Sequence, residues 1–303
     1  MAWDTTFDEL LEHRAPKLRV EHDAPMANYT SFRIGGPARR MAFPENEAEI
    51  RTLVEICREL DVRYFVIGRG TNLLAADAGL DCVVVNMTGM HEIRMEPDGA
   101  VYAQAGALLS QIAVRAQQAG YAGFAFAHGI PGSLGGAVAM NAGAYGGEMK
   151  QVVRSVTALF EDGVRTLTGD ALHFDYRHSV FTETPGIILS AVLQLTPDGD
   201  RAAIRAEMDE LMRRRKASQP LEYPSAGSTF KRPKGFYAGT MIDECGLKGA
   251  AVGGAEVSEK HAGFIINKDH ATFRDVVELI GVVQDTVFRE YGVELEPEVK
   301  ILE

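Results

Sequence analysis

Apolar and polar positions alternate along the chain with two different periods, which predicts a mixture of helices and strands. Apolar side chains recur at helical spacing over residues 46–60 and again over residues 108–118, where the pattern stops at Gly120. Short β-rich runs at residues 63–67 and 82–85 predict buried strands. Helices and strands therefore already alternate within the first third of the sequence.

The second part of the chain also mixes predicted helices and strands, and a stretch with two prolines interrupts it. Residues 152–195 predict mostly strands, and residues 201–216 predict a helix. The prolines within residues 219–224 disfavour helix and predict an extended linker, so we place a domain boundary directly after the preceding helix. Further helices are predicted over residues 237–245 and 273–288. The apolar face of the last helix is predicted to be Phe273, Val276, Val277, Ile280, Val283 and Val287.

The most distinctive segment is residues 129–146, which hold six glycines and almost no charge. Glycine lets the backbone approach another group closely, and exposed N–H groups beside a helix start suit a phosphate or pyrophosphate. Apolar residues such as Leu134 and Val138 argue against a disordered linker. We expect an ordered segment packed against a ligand. A flexible loop, or a tight packing site between elements, is the plainer alternative.

Two further glycine-rich turns precede this segment. Residues 68–74 follow a predicted strand, but Leu73 stands where a dinucleotide-binding fingerprint needs its third glycine, and no Walker lysine follows. Taken alone, this loop is equally consistent with a simple β-turn. The turn at residues 28–37 places Arg33 beside two glycines, where an anion contact is somewhat better than an ordinary surface position. Together with residues 129–146, these loops indicate a large phosphorylated cofactor.

Charge and composition narrow the classes of function. The 303 residues carry a formal net charge of −11 without a basic block, which argues against binding of nucleic acid. The three cysteines are scattered, with Cys57 and Cys82 expected in the core, so neither disulfides nor a metal site is indicated. A signal peptide and a membrane span are not indicated either. We expect a cytoplasmic monomer with no membrane partner.

Several motifs in order resemble the flavin-binding half of the vanillyl-alcohol-oxidase-like FAD superfamily. They are Arg33-Ile34-Gly35-Gly36, Gly68-Arg69-Gly70-Thr71-Asn72-Leu73 and Gly129-Ile130-Pro131-Gly132-Ser133-Leu134-Gly135-Gly136. Within that superfamily the chain resembles the short, insertion-free branch of the UDP-N-acetylenolpyruvoylglucosamine reductase family. That resemblance runs from Asn28 to Leu302 and includes the motifs at residues 141–146, 176–179, 226–233 and 297–300.

The resemblance implies a fold and a domain organisation. The implied fold is α+β, with a two-subdomain FAD-binding unit of the vanillyl-alcohol-oxidase/PCMH type and a C-terminal α+β substrate domain. The predicted segments are an N-terminal helical segment (1–27), FAD-binding subdomain 1 (28–97), FAD-binding subdomain 2 (98–218) and a substrate-binding domain (219–303).

The resemblance also assigns roles to individual residues. Arg177, Ser228 and Glu298 match the family's catalytic positions, with Ser228 as the proton donor. From the residues alone, Arg177 would be a surface ion pair, Ser228 a turn residue and Glu298 a solvated charge. Lys216 matches a lysine that holds the substrate diphosphate, although it also suits a helix C-terminus. The other implied substrate-binding residues are Tyr145 and Arg232, and Arg232 departs from the asparagine of some relatives. The implied FAD-binding residues are Arg33, Gly68, Arg69, Gly70, Thr71, Asn72, Leu73, Gly129, Ile130, Pro131, Gly132, Ser133, Gly135, Gly136 and Ala142.

The implied reaction is the reduction of an enol ether by FAD and NADPH. The family passes hydride from NADPH through the flavin to the vinyl carbon of an enolpyruvyl sugar nucleotide. Arg177 would stabilise the developing negative charge, Glu298 would polarise the carboxylate, and Ser228 would donate the proton. Because free serine is a very weak acid, a relay or strong polarisation is required. The sequence leaves open whether NADPH or NADH is used.

Two other functions stay open from the sequence. One is an FAD-dependent alcohol oxidase of the same superfamily, and the other is a nucleotide-binding regulatory protein with a degenerate site. Retention of Arg177, Ser228 and Glu298 together favours the reductase. His261 is tempting as a base, but we expect it to be structural.

Overall fold

Helices and strands alternate throughout the α+β fold of the computed structural model, which describes residues 3–303. The helices are α1 (Trp3–Arg14), α2 (Glu47–Glu59), α3 (Leu109–Ala119), α4 (Leu134–Ala139), α5 (Arg201–Ser218), α6 (Ala238–Glu244) and α7 (Phe273–Tyr291). The strands are β1 (Arg19–Pro25), β2 (Pro37–Phe43), β3 (Tyr64–Ile67), β4 (Leu73–Ala75), β5 (Leu80–Asn86), β6 (Ile93–Met95), β7 (Ala100–Gln104), β8 (Gly143–Ala144), β9 (Gly147–Glu148), β10 (Val153–Phe160), β11 (Gly163–Thr168), β12 (Ile187–Gln194), β13 (Ala251–Val252), β14 (Ala255–Val257), β15 (Ile265–Asn267) and β16 (Lys300–Leu302).

The chain divides into two units, each assembled from separate stretches of sequence. The first unit contains the described residues up to Glu21, Met41–Arg69 and Val83–Arg215. The second contains His22–Arg40, Gly70–Cys82 and Lys216–Glu303. Each unit has its own cluster of buried apolar side chains, as expected for a chain too long for one core.

The first unit is built around an antiparallel sheet in the order β11-β10-β12-β7-β6. Strand β3 lies parallel to β5 in the register Tyr64↔Val83, within a four-stranded sheet of order β1-β2-β5-β3. The Asn46 side chain caps α2 by accepting a hydrogen bond from the N–H of Glu49. Helix α3 ends at Gly120, whose φ of 79° is left-handed and is easily adopted by glycine.

The second unit pairs short strands with one long helix. Strands β13, β14 and β15 form an antiparallel sheet, and β4 lies parallel to β16 in the register Leu73↔Lys300. Helix α7 begins with a capping box of Thr272 and Asp275 and ends at Gly292, where φ is 65°. Its buried residues are Val276, Leu279, Ile280, Val283 and Val287.

The structure confirms the predicted strands at residues 63–67 and 82–85 and the five helices predicted from spacing, with limits shifted by a few residues. Residues 152–195 contain the three strands β10, β11 and β12, but the prediction of mostly strand was too broad, because residues 169–186 form loops, turns and two short 3₁₀ helices. Cys57 and Cys82 are buried free thiols, as expected.

Three predictions of local structure were wrong. The N-terminal segment is helical over Trp3–Arg14, but Arg19–Pro25 is a strand, because Pro16 cannot continue a helix; Met1 and Ala2 lie outside the described residues. The linker after α5 is a turn rather than extended, with the N–H of Tyr223 donating to the carbonyl of Pro220. On α7, Val277 is 37% exposed, since adjacent residues of a helix point about 100° apart and Val276 faces the core.

Candidate active site

The glycine-rich segment lines a cavity in the first unit. The cavity has a volume of about 220 Å³ and is bordered by Gly68, Ser133, Gly135 and Gly136, with apolar walls from residues such as Phe181. A Cβ at Gly136 would meet no atom within 4 Å and would therefore project into open space. A Cβ at Gly68 would lie 2.0 Å from the Ser133 hydroxyl oxygen. Glycine at these positions permits close packing on one side and close approach of a ligand on the other.

The first backbone N–H groups of α4 are not free, contrary to the prediction. The sequence predicted exposed N–H groups at this helix start, ready for a phosphate. Instead, the N–H of Leu134 donates to Ala107 over 2.9 Å, and the N–H of Gly135 donates to Ala105 over 2.8 Å. These bonds hold α4 against the chain that follows β7. Because those donors are already used, the predicted anion cradle does not include them.

Other predicted cofactor residues in this segment are ordered by backbone bonds. The N–H of Ile130 donates to Ala127, and the carbonyl of Gly132 accepts from Leu109. Ala142 is buried, with its N–H donating to Ala137 and its carbonyl accepting from Met149. The segment is therefore ordered, as predicted, rather than a flexible loop.

Arg215 contacts this segment and was not predicted as a site residue. The Cδ of Arg215 would lie 3.5 Å from a Cβ placed on Gly129. Burial lowers the pKa of the Arg215 guanidinium, while Tyr145 acts in the opposite direction. An arginine keeps its charge despite such a shift. The sequence contains a signal for it, because Arg215 continues the helical spacing of the buried residues Ile204 and Met208.

Arg177 lies in the first unit at the tip of a tight turn. The N–H and carbonyl of Asp175 bond to the carbonyl and N–H of His178, both over 3.1 Å. Arg177 itself has a φ of 53°, in the left-handed region that residues other than glycine seldom adopt. Its guanidinium carbon lies 5.2 Å from the centroid of the Tyr176 ring. Such strained positions occur preferentially at functional sites.

Ser228 and Glu298 are both in the second unit and are both half-buried. Thr229, which is 2% exposed, connects them. Its carbonyl accepts from the N–H of Glu298 over 2.7 Å, and its hydroxyl accepts from the N–H of Ile265 over 3.0 Å. The predicted proton donor and the predicted carboxylate are therefore held on adjacent segments, although seventy residues separate Ser228 from Glu298 in the chain.

The loop that starts at Gly68 is divided between the units, with Gly68 and Arg69 in the first and Gly70 to Leu73 in the second. The side-chain amide of Asn72 donates to the carbonyl of Glu298 over 3.0 Å. Leu73 pairs with Lys300 as part of β4. Asn72 and Leu73, predicted to bind the cofactor, thus also hold Glu298 and the strand β16 that follows it.

Four other predicted residues lie at exposed positions. Arg33 is exposed with a φ of 55°. Lys216 is exposed, and its carbonyl accepts from the ammonium of Lys260 over 2.8 Å. The guanidinium carbon of Arg232 lies 4.4 Å from the centroid of the Tyr237 ring. Tyr145 is 45% exposed with a φ of 54°.

Two histidines are partly withdrawn from solvent. His261 accepts the N–H of Gly263 at Nδ1 over 3.1 Å and packs against Phe264, which supports a structural role. Burial lowers the pKa of both His261 and His128. Among the described residues, the buried side-chain nitrogen or oxygen atom without a hydrogen-bond partner is Nδ1 of His128.

Neither membrane helices nor metal clusters are found in the described part of the chain. None of its helices is both long and apolar enough for a bilayer crossing. Residues 3–303 also contain no group of three or more His, Cys, Asp or Glu side chains placed to bind a metal ion.

Two family models and several relatives match this chain. Residues 38–168 match an FAD binding domain, and residues 219–302 match the C-terminal domain of UDP-N-acetylenolpyruvoylglucosamine reductase. The fold and sequence thus define a flavin-dependent oxidoreductase. Curated reductases of that name are 44% identical over 303 residues in Clostridium novyi (strain NT) and 48% identical over 279 residues in Caldanaerobacter subterraneus. These matches cover 100% and 92% of this chain, and 98% and 92% of the relatives. The chain belongs to the UDP-N-acetylenolpyruvoylglucosamine reductase family, whose enzymes use FAD and NADPH.

Solved structures support the same assignment. UDP-N-acetylenolpyruvylglucosamine reductase from Thermus caldophilus matches with a TM-score of 0.80 at 34% identity, covering 94% of this chain and 100% of that chain. An alkyldihydroxyacetonephosphate synthase matches with a TM-score of 0.50 at 17% identity, over 64% of this chain and 40% of that chain. The second match shows a shared fold alone. The predicted fold class and family are confirmed, and the matches support the reductase rather than the alcohol oxidase.

Proposed function

We propose that this chain catalyses the NADPH-dependent reduction of the enolpyruvyl ether of UDP-N-acetylglucosamine enolpyruvate to UDP-N-acetylmuramate. The observation that carries the proposal is the pairing of Ser228 and Glu298 through Thr229, which brings a hydroxyl and a carboxyl onto adjacent backbone segments. An alcohol oxidase has no need for this pair. The family's domain descriptions and the relatives' names agree with it.

The residues around the cavity fit one part of a bound FAD. Gly136 presents backbone without a side chain to the open space, and Gly68, Ser133 and Gly135 form the adjoining wall. When bound, FAD supplies the hydride transfer that protein side chains cannot perform. The other proposed FAD-binding positions are Arg33, Arg69, Gly70, Thr71, Asn72, Leu73, Gly129, Ile130, Pro131, Gly132 and Ala142.

The three proposed catalytic residues act on the acceptor end of the reaction. Hydride addition to the terminal vinyl carbon leaves negative charge on the neighbouring carbon and its carboxylate. Arg177, which is permanently positive, stabilises that charge electrostatically. Glu298 polarises the carboxylate, and Ser228 donates its proton to the carbanion as a general acid. The serine needs a strong hydrogen-bonding partner or a relay, because a free hydroxyl is a very weak acid.

The proposed substrate contacts include positively charged side chains, because the substrate is an anion. Lys216 holds the diphosphate, and Arg232 and Tyr145 contact other parts of the sugar nucleotide. The overall charge of −11 makes such local cations necessary, because the protein as a whole repels an anionic substrate. We further propose that residues 28–97 and 98–218 form the FAD-binding subdomains and residues 219–303 the substrate domain. The proposed setting is a cytoplasmic monomer that supplies peptidoglycan precursors for cell shape and division.

One spectroscopic experiment tests the proposed function. The flavin bands of the purified protein are recorded, NADPH is added without oxygen, and the enolpyruvyl sugar nucleotide is added last. We expect bleaching of the bands and then their recovery. Reduction by an alcohol with no response to NADPH would instead identify an oxidase. A colourless protein that gains no flavin bands when FAD is added would identify a nucleotide-binding protein without this activity.

A further inference from the structure

Asn141 is a buried residue of the glycine-rich segment that bonds to the turn carrying Arg177. Asn141 is only 1% exposed. The Nδ2 group donates to the carbonyl of Asp175 and to a carboxylate oxygen of Glu148, both over 2.9 Å. The Oδ1 atom accepts from the N–H of Lys150 over 2.9 Å. Both amide hydrogens and the amide oxygen of Asn141 therefore have partners.

A second bond anchors the other side of the same turn. The hydroxyl of Ser179, a residue with 0% exposure, donates to the carbonyl of Ala139 over 2.6 Å. Ala139 is the last residue of α4, and Asn141 follows two residues later. The turn is thus held at Asp175 and at Ser179, on either side of Arg177, by the chain at the end of α4. A turn fixed in this way keeps the backbone of Arg177 in place when charge develops nearby.

The backbone of Asn141 explains why asparagine suits this place. Its φ of 44° lies in the left-handed region, which asparagine and glycine adopt more readily than other residues. The side-chain amide then supplies a donor to Asp175 and an acceptor to Lys150 at once. Glycine would keep the backbone conformation and lose all three bonds, whereas aspartate would keep only the acceptor.

We propose that Asn141 is a positioning residue for Arg177: it fixes the Arg177 turn relative to the glycine-rich segment through its bond to Asp175. The proposal rests on the role of Arg177 under the proposed function. It assigns to the chain after α4 a task beyond cofactor binding, namely holding the arginine in the place where negative charge develops.

The test compares the two half-reactions of the holoenzyme in Asn141→Gly and Arg177→Ala. We expect Asn141→Gly to retain FAD and to be reduced by NADPH within about twofold of the wild-type rate. Reoxidation by the enolpyruvyl sugar nucleotide should slow about tenfold or more, an effect of at least about 1.4 kcal/mol on the barrier. The double variant should be little slower than Arg177→Ala, because the two residues act through one group. Asn141→Asp should also slow reoxidation, since it lacks the donor to Asp175.

Lys150→Ala is the matched control. It removes the ion pair between Lys150 and Glu148 but keeps the N–H that Asn141 accepts, so reoxidation should stay at the wild-type rate. Normal reoxidation in Asn141→Gly, or fully multiplicative effects in the double variant, would overturn the proposal while leaving the role of Arg177 intact.

Hydrogen exchange separates this proposal from the proposed function. In the holoenzyme, Asn141→Gly should speed exchange of the amides at residues 175–178 and leave β10 unchanged. Unchanged exchange at 175–178 would overturn the positioning role whatever substrate the enzyme uses. A wild-type protein that fails to reoxidise with this substrate would instead contradict the proposed function.

Discussion

The carbonyl of Thr229 accepts a 2.7 Å hydrogen bond from the N–H of Glu298. This one bond fixes the position of Ser228, the preceding residue, relative to the carboxyl-bearing residue. The hydroxyl of Thr229 simultaneously accepts from the N–H of Ile265. A buried threonine thus holds together the two backbone segments that carry the proposed acid and carboxylate.

Thr229→Val removes that hydroxyl and leaves the N–H of Ile265 without its acceptor. We expect a loss of about 1–3 kcal/mol in the free energy of unfolding, the usual effect of an unsatisfied buried donor. Substrate-driven flavin reoxidation should slow as well. Thr229→Ser keeps the hydroxyl and should lose less stability and little activity. Urea unfolding and stopped-flow absorbance measure the two effects, and equal behaviour of both variants would contradict the role of the hydroxyl.

Ser228→Ala tests the proposed proton donor. FAD binding and reduction by NADPH should be unaffected, because neither step needs this hydroxyl. Reoxidation by the enolpyruvyl substrate should slow by several orders of magnitude; loss of an acid–base group alone typically costs about 10²–10⁴. Ser225→Ala, three residues earlier, is the control and should reoxidise normally. A normal stopped-flow trace for Ser228→Ala would remove Ser228 from its role.

Gly136→Ala should change stability and cofactor affinity in opposite directions. In the FAD-free protein, alanine should stabilise α4 by about 0.5–1 kcal/mol, since its Cβ meets no atom within 4 Å. The same methyl group enters the cavity, so FAD should bind about tenfold more weakly, or about 1.4 kcal/mol.

Gly281→Ala in α7 is the control for this substitution, because a Cβ there also meets no atom within 4 Å. It should raise stability without altering FAD affinity. Fluorescence titration with FAD and thermal unfolding of both variants measure the effects. Unchanged FAD affinity in Gly136→Ala would show that the cofactor does not approach this part of the backbone.

The half-buried His261 should make stability depend on pH. Burial lowers the pKa of its imidazole below the ordinary value of 6.5, so the folded state keeps it neutral while the unfolded chain takes up a proton. The free energy of unfolding should therefore fall as pH drops from 6.5 towards the lower folded-state pKa. His261→Asn keeps an acceptor for Gly263 and should flatten this decline. Urea unfolding midpoints at several pH values measure this decline. If His261→Asn declines as steeply as the wild type, His261 is not the group responsible.

Long amphipathic helices were predictable because a helix that packs against a core needs an apolar side chain on the same face in every turn. Helix α7 shows this, with Val276, Ile280, Val283 and Val287 predicted and buried. Val277 was predicted on the same face and is exposed, because its side chain points about 100° away from that of Val276 and falls outside the buried face. Arg19–Pro25 was missed as a strand because most of its residues are exposed and its pattern gives no clear alternation.

The candidate site was predictable only in part. Ser228 and Glu298 were found through motif resemblance, not through spacing. Thr229 and Asn141 were missed because a side chain that bonds to distant backbone leaves no periodic pattern in the sequence. Asn72 was predicted as a cofactor ligand, and its bond to the Glu298 carbonyl depends on a pairing that no local rule reveals.

The parallel pairing of β4 with β16 has a consequence for the order of folding. Asn72 and Glu298 are 226 residues apart, and the core of the second unit includes Phe32 and Leu74 from the early part of the chain. During synthesis, strand β4 has no partner strand until residues 300–302 have left the ribosome. Strand β4 must therefore wait without its final strand partner until β16 has been made.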